Sequence, residues 1–226
     1  MLLNPFDLND RQRGQLSAYY EFLRAENEKY NLTAITERNE VYIKHFYDSL
    51  AAAFFIDFTK IESLCDIGSG GGLPVIPLKI AFPHMRITLI EPTGKKMNFL
   101  KELCRLLDLG DIEFVNGRAE DFGRERREYY DAVTARAVAA LPVLLELAIP
   151  LLKVSGMFIA YKGSNYRGEV KAAVSALKKL AAVINDVCEY QLPEGMGDRA
   201  IIRIRKLRTT DRTYPRPYSQ IKKKSL

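Results

Sequence analysis

Residues 63–78 read SLCDIGSGGGLPVIPL: a short apolar run, a cluster of glycines, then an apolar run fit for a helix. In an open α/β sheet the first strand–loop–helix is the usual ligand seat, outside the carboxyl ends of the strands. Glycines there let the backbone turn sharply and admit a ligand with no Cβ in the way. The dinucleotide fingerprint is GxGxxG. Gly68 and Gly70 satisfy its first two positions, but Leu73 stands at the third. The pattern that fits is DxGxGxG, on Asp66, Gly68, Gly70 and Gly72. A carboxylate two residues before the first glycine repels a pyrophosphate and attracts an ammonium or a sulfonium.

Outward from this loop, short apolar runs alternate with helical ones, the signature of βαβ units and a parallel sheet. SLCDIG, RITLIE, IEFVNG, YDAVTA, GMFIAY, VCEYQL and AIIRIR read as strands. LPVIPLKIAF, GKKMNFLKELCRLLD, LPVLLELAIPLL and EVKAAVSALKKLAAVI read as helices between them. The last two strands follow each other across PEGMGD, so the sheet should end in a hairpin whose last member enters antiparallel. Upstream, DRQRGQLSAYYEFLRAENEKY places Leu16, Tyr19, Tyr20 and Leu23 on one helical face, NEVYIKHFYDSLAAAFFI repeats the habit, and NLTAIT breaks them. The expected architecture is a seven-stranded, mostly parallel Rossmann-like α/β sheet with helices on both faces. A helical cap over 1–60, a core over 61–207 and a basic tail over 208–226 divide one principal domain.

The 226 residues, 47% hydrophobic, suffice for one well-buried core. No stretch reaches the roughly 20 apolar residues that span a bilayer, and the first residues lack the order of a signal peptide, so the expected compartment is the cytoplasm. Cys65, Cys104 and Cys188 form no CxxC pair and read as buried free thiols, and neither they nor His45 and His84 match a metal-ligand spacing. From Arg203 onward nine basic residues face one acidic, although the whole chain is only +6. Such asymmetry fits a polyanionic partner, usually nucleic acid; a solvated, disordered tail is the alternative.

DxGxGxG resembles the first motif of Rossmann-like S-adenosylmethionine-dependent methyltransferases. Glu91 ends RITLIE nineteen residues beyond Gly72, where an acidic side chain can accept both hydroxyls of a ribose. NAD enzymes share that feature. After the third strand, Arg118-Ala119-Glu120-Asp121 offers an edge suited to an adenine amino group, or is a solvated loop.

Several stretches in order, YNLTAIT, KHFYDSL, CDIGSGGGLPVIPL, EPTGKKMNFLKE, NGRAEDF, AVTARAVA, YKG, RAIIRIRK and YPRP, are similar to one family. It is the bacterial small-subunit ribosomal RNA guanine-N7 methyltransferase family, also called glucose-inhibited division protein B. The resemblance implies methyl transfer from S-adenosylmethionine to guanine N7 in 16S ribosomal RNA or the small subunit; the expected state of the chain is a monomer. It places cofactor contacts on Gly68 and Leu73, on Glu91, Pro92 and Thr93, on Ala119 and Glu120, and on Arg136, beside Asp66 and Gly70 of the glycine motif. Two departures stand out: Val75 where many members have glycine, and a tail whose spacing differs.

Guanine N7 carries an in-plane lone pair and no proton, so its methylation needs positioning rather than a base. Arg136, just past the fourth strand, reads as a donor to cofactor, guanine O6 or phosphate, or as a structural ion pair. Lys162 of YKG reads as a phosphate contact or a solvated lysine. His45, Asp48 and Ser49 share one helix face; the resemblance brings that face, with Asn31 and Thr33, to the site's border. Tyr130, Tyr161 and Tyr166 are candidates for stacking an unpaired base, or pack in the core. An NAD-dependent oxidoreductase and a non-catalytic RNA-binding module are the rival functions.

Overall fold

The computed structural model describes residue 3 and residues 6–226. Helix α1 (Asp10–Tyr30) starts on a capping box: the Asn9 side chain accepts from the Gln12 N–H, and the Gln12 side chain accepts from the Asn9 N–H, both at 2.9 Å. It buries Leu16, Tyr19, Tyr20 and Leu23, the face its periodicity predicts. After the NLTAIT break, α2 (Arg38–Val41) widens into a π turn (Tyr42–Tyr47), resumes as α3 (Asp48–Leu50) and tightens into a 3₁₀ turn (Ala51–Phe54).

The core then alternates as expected: β1 (Ser63–Ile67), α4 (Val75–Ala81), β2 (Arg86–Ile90), α5 (Gly94–Leu106), β3 (Ile112–Val115), α6 (Ala119–Glu125) and β4 (Tyr130–Arg136). Beyond it come α7 (Leu141–Ala148), β5 (Leu152–Gly163), α8 (Tyr166–Ala172), α9 (Val174–Lys179), β6 (Ala182–Gln191), β7 (Asp198–Lys206) and α10 (Tyr218–Lys223). The seven strands lie in the order β3-β2-β1-β4-β5-β7-β6. All pairings from β3 to β5 are parallel, while β7 runs antiparallel to both β5 and β6.

All five residues of β1 are buried, because a parallel sheet is covered on both faces. Successive side chains enter opposite cores. Leu64, Ile87 and Ala132 pack toward α1, α4 and α5; Cys65, Val133 and Phe158 pack toward α7 and α9. Val75, at the first position of α4, is fully buried in the first of these cores. Strand order reverses between β1 and β4, which opens a crevice at their carboxyl ends. The antiparallel β7 brings its first residues to the same rim, with Arg199 beside Gly163 and Ala200 beside Lys162.

Four expectations need correction here. EVKAAVSALKKLAAVI is not one helix: Ala181 turns left-handed at φ 52°, and Ala182 and Ile184 pair with Lys206 and Ile204. Helical periodicity in that stretch yields to the unpaired outer edge of β7, whose backbone groups need partners. Arg136 is the last residue of β4, paired with Tyr161 of β5, rather than lying beyond the strand. Cys65 and Cys104 are buried, but Cys188 on the edge strand is only partly covered. The tail folds back onto the core, where Ile221 is fully buried.

Candidate functional site

The glycine loop leaves β1 with Gly68, Gly70 and Gly72 at φ 69°, 53° and 91°. An L side chain rarely adopts such angles. The N–H groups of Gly68 and Ser69 both donate to the Ile90 carbonyl, at 2.8 and 3.1 Å, folding the loop over the end of β2. A Cβ on Gly68 would stand 2.7 Å from Val138 Cγ2, and one on Gly72 would stand 2.8 Å from Ile76 and 2.9 Å from the Tyr19 hydroxyl. That hydroxyl donates to the Gly71 carbonyl, so α1 closes the loop from outside. Leu73 sits in the turn before α4.

Asp66 is 1% exposed beneath this loop. Its Oδ1 accepts from Thr134 Oγ1 at 2.7 Å, while its Oδ2 has no hydrogen-bond partner. Burial pushes its carboxyl up to about 7, against the pull of the Thr134 and Ser69 bonds. A buried acceptor without a donor is costly, of order 1–3 kcal/mol. Asp66 lies beside the three left-handed glycines of the loop.

Glu91 is buried directly after β2. Its Oε2 accepts from the Gly70 N–H and its Oε1 from the Thr93 N–H, each at 2.9 Å, and its carbonyl accepts from Asn116 Nδ2. Each carboxylate oxygen keeps a further lone pair for a hydroxyl donor. Pro92 and Thr93 are exposed beside it. Ala119 and Glu120 open α6 and are both buried, so the solvated-loop alternative for Glu120 is wrong. Burial raises the Glu120 carboxyl.

Across the rim lies a cavity of about 560 Å³ whose wall includes Lys44, His45, Asp48, Arg136, Lys162 and Arg199. Val138 lines this cavity and also leans on Gly68, so one side chain separates it from the glycine loop. Asp48 is the hub. It accepts from Arg136 Nη1 at 2.9 Å and from the Tyr190 hydroxyl at 2.7 Å, and Arg199 Nε stands 3.5 Å away. Arg136 thus makes the structural ion pair that was its alternative reading, and it also lines the cavity. Lys162 is neither solvated nor free. Its Nζ donates to Glu169 Oε2 at 2.7 Å and to the Ala139 carbonyl at 2.9 Å, leaving one proton uncommitted.

His45 has both ring nitrogens engaged. Nδ1–H donates to the Lys44 carbonyl at 3.1 Å, so Nε2 of the neutral ring accepts from Thr33 Oγ1 at 2.8 Å, and that hydroxyl also accepts from the Ile35 N–H at 3.0 Å. Burial first, then the neighbouring Arg136 charge, lowers the imidazole to about 4. The ring is neutral at pH 7. The shared face holds for His45 and Asp48 only: Ser49 turns into the core, bonded to the His45 carbonyl. Thr33 borders the cavity through His45, whereas Asn31 caps α1 in the left-handed conformation and is exposed.

The tyrosines divide. Tyr161 lines the cavity with its hydroxyl on the Ser49 carbonyl. Tyr166 opens α8 and bonds Glu189. Tyr130 is buried at the opposite end of the sheet with its hydroxyl on Thr88, so it cannot stack a base at this rim. Val138, Glu169, Tyr190 and Arg199 were not foreseen as site residues. Only the expected hairpin carried a signal for Arg199, since an antiparallel β7 must start where β5 ends.

A seven-stranded sheet of this order, with a glycine loop, a buried aspartate and an acidic end to β2, defines the Rossmann-like class of S-adenosylmethionine-dependent methyltransferases. Solved structures share that fold. The O-methyltransferase from Bacillus cereus in complex with SAH aligns at TM-score 0.60 with 16% identity, covering 84% of this chain and 91% of that one. TYW2 from M. jannaschii in complex with AdoMet aligns at 0.57 with 16% identity, covering 72% and 76%. The family model GidB, rRNA small subunit methyltransferase G, matches residues 12–194. Curated relatives called ribosomal RNA small subunit methyltransferase G are 48% identical: one from Exiguobacterium sp. over 93% of this chain and 90% of its own length, one from Bacillus cereus over 92% and 88%. The chain belongs to the rRNA small subunit methyltransferase G family. That membership favours a transferase over the oxidoreductase and over a non-catalytic RNA-binding module.

Among the described residues, no group of three His, Cys, Asp or Glu side chains is arranged to hold a metal ion. None of their helices is long and apolar enough to cross a membrane.

Proposed function

We propose that this chain transfers a methyl group from S-adenosylmethionine to N7 of a guanine in 16S ribosomal RNA. The observation that carries the reading is the unpaired Asp66 Oδ2 beneath a left-handed glycine loop, one side chain away from a cation-lined cavity. The cofactor supplies an electrophilic methyl on a sulfonium centre and an ammonium group.

A cation bound beside Asp66 favours its ionised form, which then balances that positive charge. Gly68, Gly70 and Leu73 shape the cradle, and Glu91 with Pro92 and Thr93 receives the ribose. Ala119 and Glu120 meet the adenine edge. In the cavity, Lys44, Arg136, Lys162 and Arg199 outnumber Asp48 and Glu169, which suits a nucleotide bearing phosphate. Arg136 and Lys162, each fixed by a carboxylate, orient the target rather than move a proton. His45 is not a general base, because both nitrogens are committed. The reaction at N7 needs none, so what the residues contribute is alignment and exclusion of water, worth several kcal/mol. We place the protein in the cytoplasm as a monomer acting on ribosomal RNA or the small subunit. Its exposed large apolar side chains, among them Phe54, Leu106, Val174 and Leu207, fall on separate elements.

The test is to incubate the protein with methyl-labelled S-adenosylmethionine and ribosomal RNA from a strain lacking it, then map the label. Label on N7 of one guanine of 16S RNA is expected. Label elsewhere, or none while NADH binds tightly, overturns the proposal.

A further inference from the structure

The basic tail keeps many side chains in water but is tied along its length to the core. Its start is anchored by Lys206, fully buried, which donates to the Ile149 and Leu152 carbonyls at 3.0 and 2.9 Å and pairs with Glu128. Glu128 also accepts from the Thr210 N–H. Arg127 then donates to the carbonyls of Thr210, Asp211 and Tyr214, and Arg124 to that of Pro215. Pro215 lies against Gly123, 3.4 Å from where a Cβ would stand. Arg216 reaches Glu146, a fully buried carboxylate on α7, through Nε at 2.7 Å and Nη2 at 2.6 Å. Beyond it, Ile221 enters the core and the Tyr218 ring lies 5.2 Å from the Arg118 guanidinium carbon.

Four of these contacts, through Arg118, Gly123, Arg124 and Arg127, run along α6, while Arg216 ties the tail to the neighbouring α7. Arg118 caps the start of α6, Gly123 and Arg124 belong to its last turn, and Arg127 follows it. A seven-residue helix is marginal on its own, because nucleating helix costs more than so few bonds return. Packing must hold it, and the tail supplies one side of that packing while α7 and the 3₁₀ turn after it supply the other. Ala119 and Glu120, which the proposed function sets at the adenine edge, are the first two residues of this helix.

We infer that residues 208–226 are a strap that positions α6 for the cofactor, with the Tyr218–Arg118 stack and the Arg216–Glu146 pair as its clasps. The inference rests on the cofactor reading above. Tyr218 and Arg118 are positioning residues: they act on cofactor affinity through the start of α6. The cations left facing solvent, Arg208, Arg212 and Lys222 to Lys224, are a separate matter from those spent holding the strap.

The test titrates the full chain with S-adenosylhomocysteine by calorimetry and follows amide exchange over 118–125. Tyr218→Ala and the exposed-site change Arg118→Ala should each weaken binding by about threefold, the size of an exposed cation–π contact, and speed exchange in α6. Tyr218→Phe keeps the ring and should restore both, and Lys223→Gln should change neither. Unaltered affinity in Tyr218→Ala and Arg118→Ala, or a Phe variant as weak as the Ala one, overturns the strap. Absence of binding by the unmodified chain overturns the cofactor reading instead. If Tyr218→Ala does not fold, Arg118→Ala decides alone.

Discussion

Replacing Asp48 by alanine tests whether one carboxylate ties the N-terminal helices to the rim of the sheet. The Asp48 side chain is 6% exposed and that of Arg136 14%, so the pair is close to a buried one. Removing one member of such a pair costs about 3–5 kcal/mol, chiefly by stranding the other charge. The cavity beside Arg136 lets water reach it, which favours the lower end, about 3 kcal/mol. The Tyr190 hydroxyl loses its nearer acceptor as well, keeping only the Asp48 carbonyl at 3.5 Å. For a chain of this length each kcal/mol moves the melting temperature by about 2–4 °C, so a fall of about 6–12 °C is expected. Asp48→Asn keeps an acceptor for Tyr190 but no charge, and should fall between. Urea denaturation of Asp48→Ala, Arg136→Met and the double variant isolates the pairwise part. The double variant should be more stable than the sum of single losses predicts by about 1–2 kcal/mol. A loss under about 1 kcal/mol for Asp48→Ala, or additivity within about 0.5 kcal/mol, would refute the reasoning.

Two further predictions concern the cofactor seat. Gly68→Ala forces a side chain to φ 69° and against Val138, and should cost about 1–2 kcal/mol in backbone strain alone. Adding Val138→Ala should relieve the clash but not the strain; full recovery in urea melts would show that the angle carries no penalty. For Asp66, the folded carboxyl, raised to about 7, holds a proton that the unfolded chain releases near its ordinary pKa of about 4. Its stabilisation is therefore present below about pH 4 and is lost as pH rises through 7. Stability of the wild type minus that of Asp66→Asn should fall across that window, while His45, lowered to about 4, contributes in the opposite sense to both proteins. A difference that stays flat or grows with pH would show that Asp66 is not held protonated.

Much of this was legible in the chain because it is local. Period and punctuation marked seven strands and their helices, and the spacing of Asp66, Gly68, Gly70 and Gly72 told a cationic ligand from a pyrophosphate. Glu91 could be placed because a strand end has a definite address in a βαβ unit. The misreadings arose where a distant partner decides: Ala182–Ile184 became strand because β7 lay open beside it, and Tyr130 was offered to RNA although it sits at the far end of its strand.

By itself the sequence determined the order of elements, the alternation of the strands and the place of the glycine loop after β1, since each depends on residues near in the chain. Only the tertiary structure decided that Asp48 gathers Arg136, Tyr190 and Arg199. Only it showed that Val138 divides the loop from the cavity, and that Arg216 is drawn down to Glu146. A charge in sequence has no fixed partner. Which opposite charge meets it, and how far from water, is settled when the strands take their places in the sheet.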